Sequence, residues 1–390
     1  MHIFKSPRLL PESGIKMKKQ PCIEKMVRPC CRQFEPYVAG RPVETIRREM
    51  GLKKIVKLAS NENPLGPSQA AVSAIRQAAA GVYFYPDSNS FLLRSTLAKK
   101  HGVAPQQVLL GAGSDELIEL VAKVFFNSGD NIVVSKHAFI RYAMAGRLMN
   151  ARVTAVPMKD YAHDLPAMAR AVTPKTKAVF IANPNNPTGT YNTRREFDSF
   201  LRALSSRKDC APLVIVDEAY YEFACVNSDY PDTLSCLRNN PRVIILRTFS
   251  KVYGLAGLRC GYGFTSPEVA DFMERVRPPF NVNSVAQAAC VASLKDRGQV
   301  QKSIKLVKEQ KAYLYGEMER LGVRYIPTAA NFILFDVSPM RGKDVFLALL
   351  RRGVIVRAMD EYELPHHVRV SIGLPEENRF FIKCLKEVLK

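Results

Sequence analysis

One lysine in the sequence has a setting that an ordinary surface lysine does not need. The stretch RTFSKVYGLAGLRCGY, residues 247–262, places Lys251 just after an apolar run, in a segment with three glycines and eight residues before Arg259. Partial burial and a neighbouring positive charge both disfavour the charged form of a lysine, so we expect its pKa to be lowered. A neutral amine attacks carbonyl carbons, which makes Lys251 a candidate nucleophile.

Two other apolar runs end in polar residues that suit a ligand. Asp217 directly follows PLVIV, and an acid buried at such a position costs free energy unless a cationic partner is present. Asn186 belongs to NPNNPTG, which follows KAVFIA, and its amide can be directed at a ligand oxygen. A helix cap at Asp217 and simple turn formation at Asn186 are alternatives that these residues leave open.

A fourth segment, GAGSDE at residues 111–116, connects the apolar run QVLL to a helical pattern. Backbone N–H groups at the start of a helix, together with the positive end of the helix dipole, can hold a phosphate. A plain glycine turn with Ser114 or Asp115 as the cap has the same sequence. The segment alone does not decide between the two interpretations.

These segments need a scaffold that brings several strand ends together. From about residue 60 to 285, short runs rich in Val and Ile alternate with helix-length segments. The runs are QVLLG, NIVVS, RVTAVP, KAVFIANP, PLVIVDE and RVIILRTFS. This alternation predicts β-α-β units in an α/β fold, a doubly wound, mostly parallel sheet with helices on both faces. Ligands bind at the carboxyl ends of such strands, where the candidate residues lie.

The pattern changes after about residue 285. A long helical segment is followed by the strand-like NFILFDV, GVIVRAM and VRVSIG and by two more helical segments, which predicts a small α+β domain. A chain of 390 residues exceeds the usual size of a single core. We therefore expect a basic flexible extension over 1–33, an arm over 34–60 joined to the small domain, a large domain over 61–285 and a small domain over 286–390.

Composition narrows the class of protein. Hydrophobic residues make up 47% and charged residues 24%, as in ordinary soluble globular proteins, and the sequence has neither an apolar run of transmembrane length nor a secretory signal. The nine cysteines lack zinc-site spacing, so we expect reduced thiols, no metal and a cytoplasmic location. The net charge of +21 could favour binding to nucleic acid. However, the basic residues are dispersed along the chain, so we expect small anionic ligands and no nucleic acid.

Taken together, these motifs resemble those of the class-II pyridoxal-phosphate-dependent aminotransferases of fold type I, and in particular the histidinol-phosphate aminotransferase family. The resemblance extends from about Tyr37 to Lys390. It is carried, in the family's order, by LASNENPLGPS, YPD, GAGSDELIEL, NPNNPTG, DEAY, TFSKVYGLAGLRCGY and VRVSIG. It implies a large seven-stranded sheet domain and a smaller α+β domain.

The resemblance also implies roles around a pyridoxal 5′-phosphate cofactor. Lys251 would form a Schiff base with its aldehyde, and Asp217 would pair with its pyridine nitrogen. Asn186 and Tyr220 would bond its phenolic oxygen, and Phe139 would stack on its ring. The remaining implied cofactor-binding positions are Gly113, Ser114, Asp115, Thr248, Ser250 and Arg259, with Tyr85 reaching the cofactor phosphate of a neighbouring subunit, so that a homodimer is expected.

For the substrate, the resemblance implies that Arg369 binds the α-carboxylate of glutamate, while Arg357 and Tyr37 contact the substrate phosphate and Asn63 lines the same pocket. The expected reaction is amino transfer between L-histidinol phosphate and 2-oxoglutarate in histidine biosynthesis.

Three alternatives stay open. An aromatic or broad-range aminotransferase would differ at Arg357 and Tyr37, and a phosphothreonine decarboxylase would keep Lys251 and Asp217. A non-enzymatic anion- or nucleic-acid-binding protein would account for the net charge but not for the polar strand ends.

Overall fold

The computed structural model describes residues 23–34, 43–207 and 209–390. The described residues fall into two compact units, one before residue 38 and one from residue 38 onward. In the first unit they form a short helix, α1 (Ile23–Met26), and a 3-10 helix (Pro29–Gln33). All candidate site residues that the structure describes belong to the second unit. Tyr37 lies outside the described residues.

The strands of the described chain are, in chain order, β1 (Val56–Lys57), β2 (Val108–Gly111), β3 (Asn131–Ser135), β4 (Arg152–Val156), β5 (Thr176–Ala182), β6 (Leu213–Asp217), β7 (Val243–Thr248), β8 (Gly261–Phe264), β9 (Tyr325–Ile326), β10 (Phe332–Asp336), β11 (Val354–Ile355), β12 (Arg357–Met359) and β13 (Leu364–Ser371).

The helices that follow α1 in the described chain are α2 (Val43–Met50), α3 (Gln69–Ala79), α4 (Phe91–His101), α5 (Ser114–Phe125), α6 (Ile140–Leu148), α7 (Leu165–Arg170), α8 (Arg194–Ser205), α9 (Tyr221–Ala224), α10 (Thr233–Asn239), α11 (Pro267–Val276), α12 (Ser284–Lys295), α13 (Arg297–Arg320), α14 (Gly342–Arg351) and α15 (Pro375–Val388). Shorter 3-10 helices lie at Pro105–Gln107, Ala256–Leu258 and Asp360–Tyr362.

Seven strands of the described chain form the large sheet, in the order β2-β8-β7-β6-β5-β3-β4. All pairings are parallel except those of β8, which is antiparallel to both neighbours. The six runs predicted as parallel strands all lie in this sheet, so the predicted α/β architecture is confirmed.

The short strand β8 was not among the predicted runs. Its sequence GYGF contains two glycines in four residues, which is typical of a turn. Tertiary packing explains the glycines, because a Cβ on Gly261 would overlap the backbone of Gly113 and Ser114, and a Cβ on Gly263 would overlap the carbonyl of Ile245. These residues form a strand because only glycine allows this close approach of backbones.

Both faces of the large sheet are covered by helices. Alternate residues along β6 and β7 enter different cores, since Val216 and Ile245 belong to one apolar cluster and Ile215 and Ile244 to another. The first cluster includes residues of α4, α8 and α12, and the second includes residues of α5, α6 and α11. This alternation is the packing expected of a doubly wound sheet whose strands are buried on both faces.

A smaller antiparallel sheet has the order β12-β13-β10-β9 among the described strands. The predicted segment GVIVRAM is divided between β11, which pairs in parallel with β1, and β12, which pairs with β13. In this last pair Arg357 lies directly opposite Arg369, so two guanidinium groups share one face of the small sheet.

Candidate active site

Lys251 lies three residues beyond the end of β7, in the bend that leads to the 3-10 helix Ala256–Leu258. Its Nζ atom donates a hydrogen bond of 3.3 Å to the carbonyl oxygen of Ser60 and lies 5.7 Å from the centre of the Tyr220 ring. No carboxylate forms an ion pair with it within the described chain. Burial, followed by the charge of Arg369, lowers the pKa of Lys251 to about 8, which agrees with the predicted direction.

Asp217 is the last residue of β6 and is buried. Its Oδ2 atom accepts a hydrogen bond of 2.6 Å from the hydroxyl of Tyr142, and Oδ1 accepts one of 3.1 Å from the backbone N–H of Ala219. Burial raises the pKa of Asp217 to about 6, although both hydrogen bonds act in the opposite direction. Its protein partners are neutral, so a cationic ligand would relieve the cost of this buried charge.

Tyr220 and Asn186 approach the same region from two loops. The Tyr220 hydroxyl accepts a hydrogen bond of 2.9 Å from the side-chain amide of Asn61, whose backbone is left-handed with a φ of 55°. The Asn186 amide oxygen accepts a 2.5 Å hydrogen bond from Arg369. The predicted Tyr220 and Lys251 therefore lie close together, and Asn186 contacts the small sheet through Arg369.

The start of α5 has no side-chain cap, which suits the binding of an anion. Its cap residue is Gly113, with a φ of 86° and no side chain to bond the first N–H groups of the helix. Those groups, beginning at Ser114, are therefore open to a ligand. Glycine suits this position because other residues rarely adopt a φ of 86°, and a guanidinium nitrogen of Arg259 lies beside it, 2.7 Å from where a Cβ would stand.

Arg259 is half exposed, and its guanidinium is 3.9 Å from the carboxylate of Asp115, a loose ion pair. Thr248 ends β7 and Ser250 lies on the loop that follows, and the Thr248 hydroxyl accepts a hydrogen bond of 3.1 Å from the backbone N–H of Ser250. The hydroxyl of Ser250 makes no hydrogen bond within the described residues. Two hydroxyl groups and one arginine thus complement the uncapped helix start.

Arg369 is a buried cation without a carboxylate partner in the described residues. Its guanidinium donates to Asn186 and, at 2.8 Å, to the carbonyl of Ala59, while its buried Nε has no partner in the described chain. The opposite residue on the neighbouring strand, Arg357, donates at 2.7 Å to Glu361. A free buried guanidinium suits a planar carboxylate or a phosphate oxygen.

The other predicted site residues have different surroundings. Phe139 packs edge-on against Tyr142, with ring centres 5.7 Å apart. Asn63 uses its amide within the chain, donating at 2.8 Å to the carbonyl of Val252 and to the hydroxyl of Ser303. Asn63 therefore supports the loop that carries Lys251, and its direct contact with substrate stays a prediction.

The sequence-based set lacks Tyr142 and Asn61, whose side chains bond two of the predicted cofactor-binding residues. Tyr142 bonds Asp217, and Asn61 bonds Tyr220. A signal for Tyr142 existed, because it follows Phe139 by three residues in a helical pattern and so shares its face. Asn61 gave no such signal, since its neighbour Asn63 in the motif NEN has the same residue type.

Comparison with known proteins identifies the class. Residues 53–382 match the model of the family described as aminotransferase class I and II, and the chain belongs to this family.

Among its relatives, a histidinol-phosphate aminotransferase of Moorella thermoacetica is 45% identical over 93% of each chain. A protein of Pseudomonas fluorescens named histidinol-phosphate aminotransferase 2 is 46% identical over 93% of this chain and 97% of its own.

A solved structure agrees with these relatives. The histidinol-phosphate aminotransferase of Sinorhizobium meliloti, in complex with pyridoxal 5′-phosphate, superposes with a TM-score of 0.84 at 27% identity, covering 93% of this chain and 97% of that one. The predicted family and the predicted fold type I architecture are therefore confirmed.

Two searches of the described residues add to this picture. No helix among them has the length and apolar character needed to cross a membrane. In the same part of the chain, no group of three or more His, Cys, Asp or Glu side chains is arranged to hold a metal ion.

Proposed function

We propose that this chain is a histidinol-phosphate aminotransferase, which transfers an amino group between L-histidinol phosphate and 2-oxoglutarate, giving imidazole-acetol phosphate and L-glutamate, in L-histidine biosynthesis. The observation that carries the proposal is the grouping of Lys251 and Asp217, at the carboxyl ends of the neighbouring strands β7 and β6, with Arg369 of the small sheet, whose charge acts on Lys251. Each of the three is buried or partly buried, and none has an ion-pair partner in the described chain. The family and the named relatives support this function.

The cofactor is pyridoxal 5′-phosphate, and the residues present fit it. When bound, it supplies an electrophilic aldehyde and an electron-withdrawing pyridine ring. The uncapped start of α5 with Ser250 and Arg259 would hold the phosphate, and Asp217 would hold the ring nitrogen. The φ of 86° at Gly113, which favours glycine, and the Arg259 guanidinium beside it agree with an anion site at the start of α5.

Further predicted residues complete this cofactor site in our proposal. Asn186 and Tyr220 would bond the phenolic oxygen, Phe139 would stack on the ring, and Thr248 and Asp115 would border the phosphate.

In our proposal, one residue of the chain transfers the proton and others bind the two substrates. Lys251 would take the proton from the α-carbon of the amino donor and deliver it to C4′ of the cofactor, a transfer for which its lowered pKa of about 8 is suited. Arg369 binds the α-carboxylate of glutamate. Arg357 and Tyr37 bind the phosphate of histidinol phosphate, with Arg357 positioned opposite Arg369 on the neighbouring strand.

The substrate can be tested by comparing kcat/KM for histidinol phosphate and phenylalanine as amino donors. We expect a clear preference for histidinol phosphate, and preference for phenylalanine would overturn the proposed substrate in favour of an aromatic or broad-range aminotransferase. Arg357→Met should raise KM for histidinol phosphate about 10- to 100-fold, the loss expected for a charged hydrogen-bonding partner, and leave phenylalanine less affected. Arg341→Met is the matched control. Arg341 pairs with Asp360, which is next to Glu361, the partner of Arg357, in the 3-10 helix Asp360–Tyr362.

The enzyme class has a direct test. The purified protein should be yellow, and borohydride should abolish its absorbance near the visible edge. A colourless protein that cannot be reconstituted with pyridoxal 5′-phosphate would overturn the enzyme proposal.

We also propose a homodimer with shared sites. An aromatic surface, defined here as Tyr83, Phe84, Tyr85, Phe91 and Phe280, is exposed, with Tyr85 82% accessible and stacked on Phe280 at 4.7 Å. Exposed apolar patches of this kind mark interfaces between proteins. Light scattering should give the mass of two chains, and Phe84→Arg should shift it towards one; a wild-type monomer would contradict the proposal.

The cytoplasm is the proposed location. The described cysteines are all free thiols, which suits a reducing compartment. Fractionation of cells that express the chain would test this, with recovery outside the cytoplasm as the contrary result.

A further inference from the structure

Tyr142 makes the shortest contact to the buried carboxylate at the end of β6. It lies on α6, is 1% exposed and donates its hydroxyl hydrogen to Oδ2 of Asp217 at 2.6 Å. The other oxygen, Oδ1, accepts the N–H of Ala219. Each carboxylate oxygen has two lone pairs, so both retain capacity for a ligand after these bonds are made.

Aromatic packing aims the Tyr142 hydroxyl. The ring stacks on Phe180 of β5, with centres 4.9 Å apart and planes 14° from parallel, and Phe139 meets it edge-on. Phe180 lies in the core on the α5 and α6 side of the sheet, so this stack fixes the tyrosine to the same sheet that carries Asp217. The position of the hydroxyl therefore does not depend on solvent or on mobile side chains.

We propose that Tyr142 is a positioning residue for Asp217: it holds the carboxylate ionised and oriented towards the ring nitrogen of the cofactor. The inference rests on the proposed role of Asp217. Tyr142 touches neither substrate nor reacting atoms in this scheme and acts through the carboxylate. The residues Asp115 and Glu218 add negative charge near Asp217, and burial also disfavours its charged form, so a strong neutral donor is needed to oppose them.

The test compares two cofactors on the full-length chain. Cofactor-free protein is titrated with pyridoxal 5′-phosphate and with its analogue in which a C–H group replaces the ring nitrogen. Asp217→Asn should weaken binding of the natural cofactor much more than binding of the analogue. Tyr142→Phe, which keeps the ring and its stacking, should show the same preference, weakening the natural cofactor by about tenfold or more relative to the analogue.

Two further variants separate positioning from general damage. In the Asp217→Asn background, Tyr142→Phe should have no additional effect on the ratio of the two dissociation constants. Tyr230→Phe is the matched control, because the Tyr230 hydroxyl bonds the neighbouring carboxylate of Glu218 at 3.2 Å. It should change binding of both cofactors equally.

The outcomes distinguish the two levels of the proposal. If Asp217→Asn affects both cofactors equally, the proposed role of Asp217 is wrong. If Asp217→Asn discriminates but Tyr142→Phe affects both cofactors equally or neither of them, the role assigned to Tyr142 is overturned. Discrimination by Tyr230→Phe as strong as that of Tyr142→Phe would overturn it as well.

Discussion

Two adjacent carboxylates at the end of β6 have opposite environments. Glu218 is fully buried, and its Oε2 accepts a hydrogen bond of 2.8 Å from Nε of Arg247 and forms an ion pair of 2.8 Å with Nη2 of the same residue. Its Oε1 accepts hydrogen bonds from the hydroxyls of Thr233 and Tyr230. Asp217 is also buried, but its partners are the uncharged Tyr142 and Ala219. Within the described residues, the chain supplies a counter-charge for Glu218 and none for Asp217.

The same contrast separates two cations of this region. Arg247 is paired with Glu218 and stacks on Tyr221 at 3.4 Å, so its charge has a carboxylate partner within the protein, although its Nη1 atom makes no hydrogen bond in the described chain. In the described part of the chain, Arg369 donates hydrogen bonds to an amide and a carbonyl oxygen and lies 5.3 Å from the centre of the Phe332 ring, with no carboxylate partner. Because an unpaired buried charge is costly, its presence indicates a bound partner, whereas a complete buried pair indicates a structural role.

The largest expected effect comes from removing the amine of Lys251, a site residue that has no ion-pair partner in the described chain. Lys251→Ala should reduce kcat by about 10⁴-fold or more, since both the nucleophile and the proton carrier are removed. Lys311→Ala is the matched control, because Lys311 is also partly buried and donates at 2.9 Å to a backbone carbonyl, that of Thr328. The measurement is steady-state turnover with histidinol phosphate; near-normal kcat for Lys251→Ala would reject its role.

Breaking the buried ion pair of Glu218 and Arg247 should lower the free energy of unfolding. Glu218→Gln leaves the charge of Arg247 buried and unpaired, so we expect a loss of about 3–5 kcal/mol in the free energy of unfolding. Glu309→Gln, at an exposed residue whose ion pair with Lys305 is 3.9 Å long, should change stability by less than about 1 kcal/mol. Denaturant unfolding of both variants provides the measurement, and equal losses would contradict the contrast.

Removing the charge of Asp217, which has no cationic partner among the described residues, should instead stabilise the protein. Because the pKa of Asp217 is about 6 in the folded protein, above its unfolded value, its contribution to stability is complete at low pH and is lost as pH rises through 6. An asparagine side chain at this position would never ionise. Asp217→Asn should therefore stabilise the cofactor-free protein at pH 8 by up to about 3 kcal/mol and have little effect at pH 4.

Thermal unfolding of the cofactor-free protein at the two pH values measures this change. A variant that is less stable than the wild type at pH 8 would show that the charge of Asp217 is already compensated.

The smallest expected effect is a shift in a titration curve. In cofactor-free protein the neutral fraction of Lys251 grows as pH rises through about 8, so its rate of labelling by an amine-reactive reagent should reach half-maximum there. Ordinary surface lysines reach theirs about two units higher. Peptide mass spectrometry after labelling resolves the two groups, and a midpoint near 10 for Lys251 would show that it is not desolvated.

The scaffold of the site was accessible from sequence. Six apolar runs predicted six strands of the large sheet, because residues buried on both faces must be apolar throughout. Asp217 stood out because it follows such a run directly, and Asn186 because its motif NPNNPTG follows another. Strand β8 was missed, since its glycines serve the approach of another backbone rather than a turn.

The residues that hold the site residues in place were harder to predict from the sequence. Tyr142 is one of fifteen tyrosines, and its contact with Asp217 spans 75 residues of sequence. Asn61 and Asn63 are equivalent in composition, yet the first bonds Tyr220 and the second bonds the loop of Lys251. Such contacts depend on how distant loops meet, which local spacing does not encode.

The sequence by itself determined the family, the doubly wound sheet and the residues that carry charge or nucleophilic character, because motifs and strand patterns are local properties. Only the tertiary structure decided which of those charges are satisfied within the chain. Neighbours in sequence such as Asp217 and Glu218 point to opposite sides of the strand end, and their partners come from different elements. The distinction between a structural ion pair and a ligand site is therefore a property of the folded interior, where the cost of an unpaired charge is set.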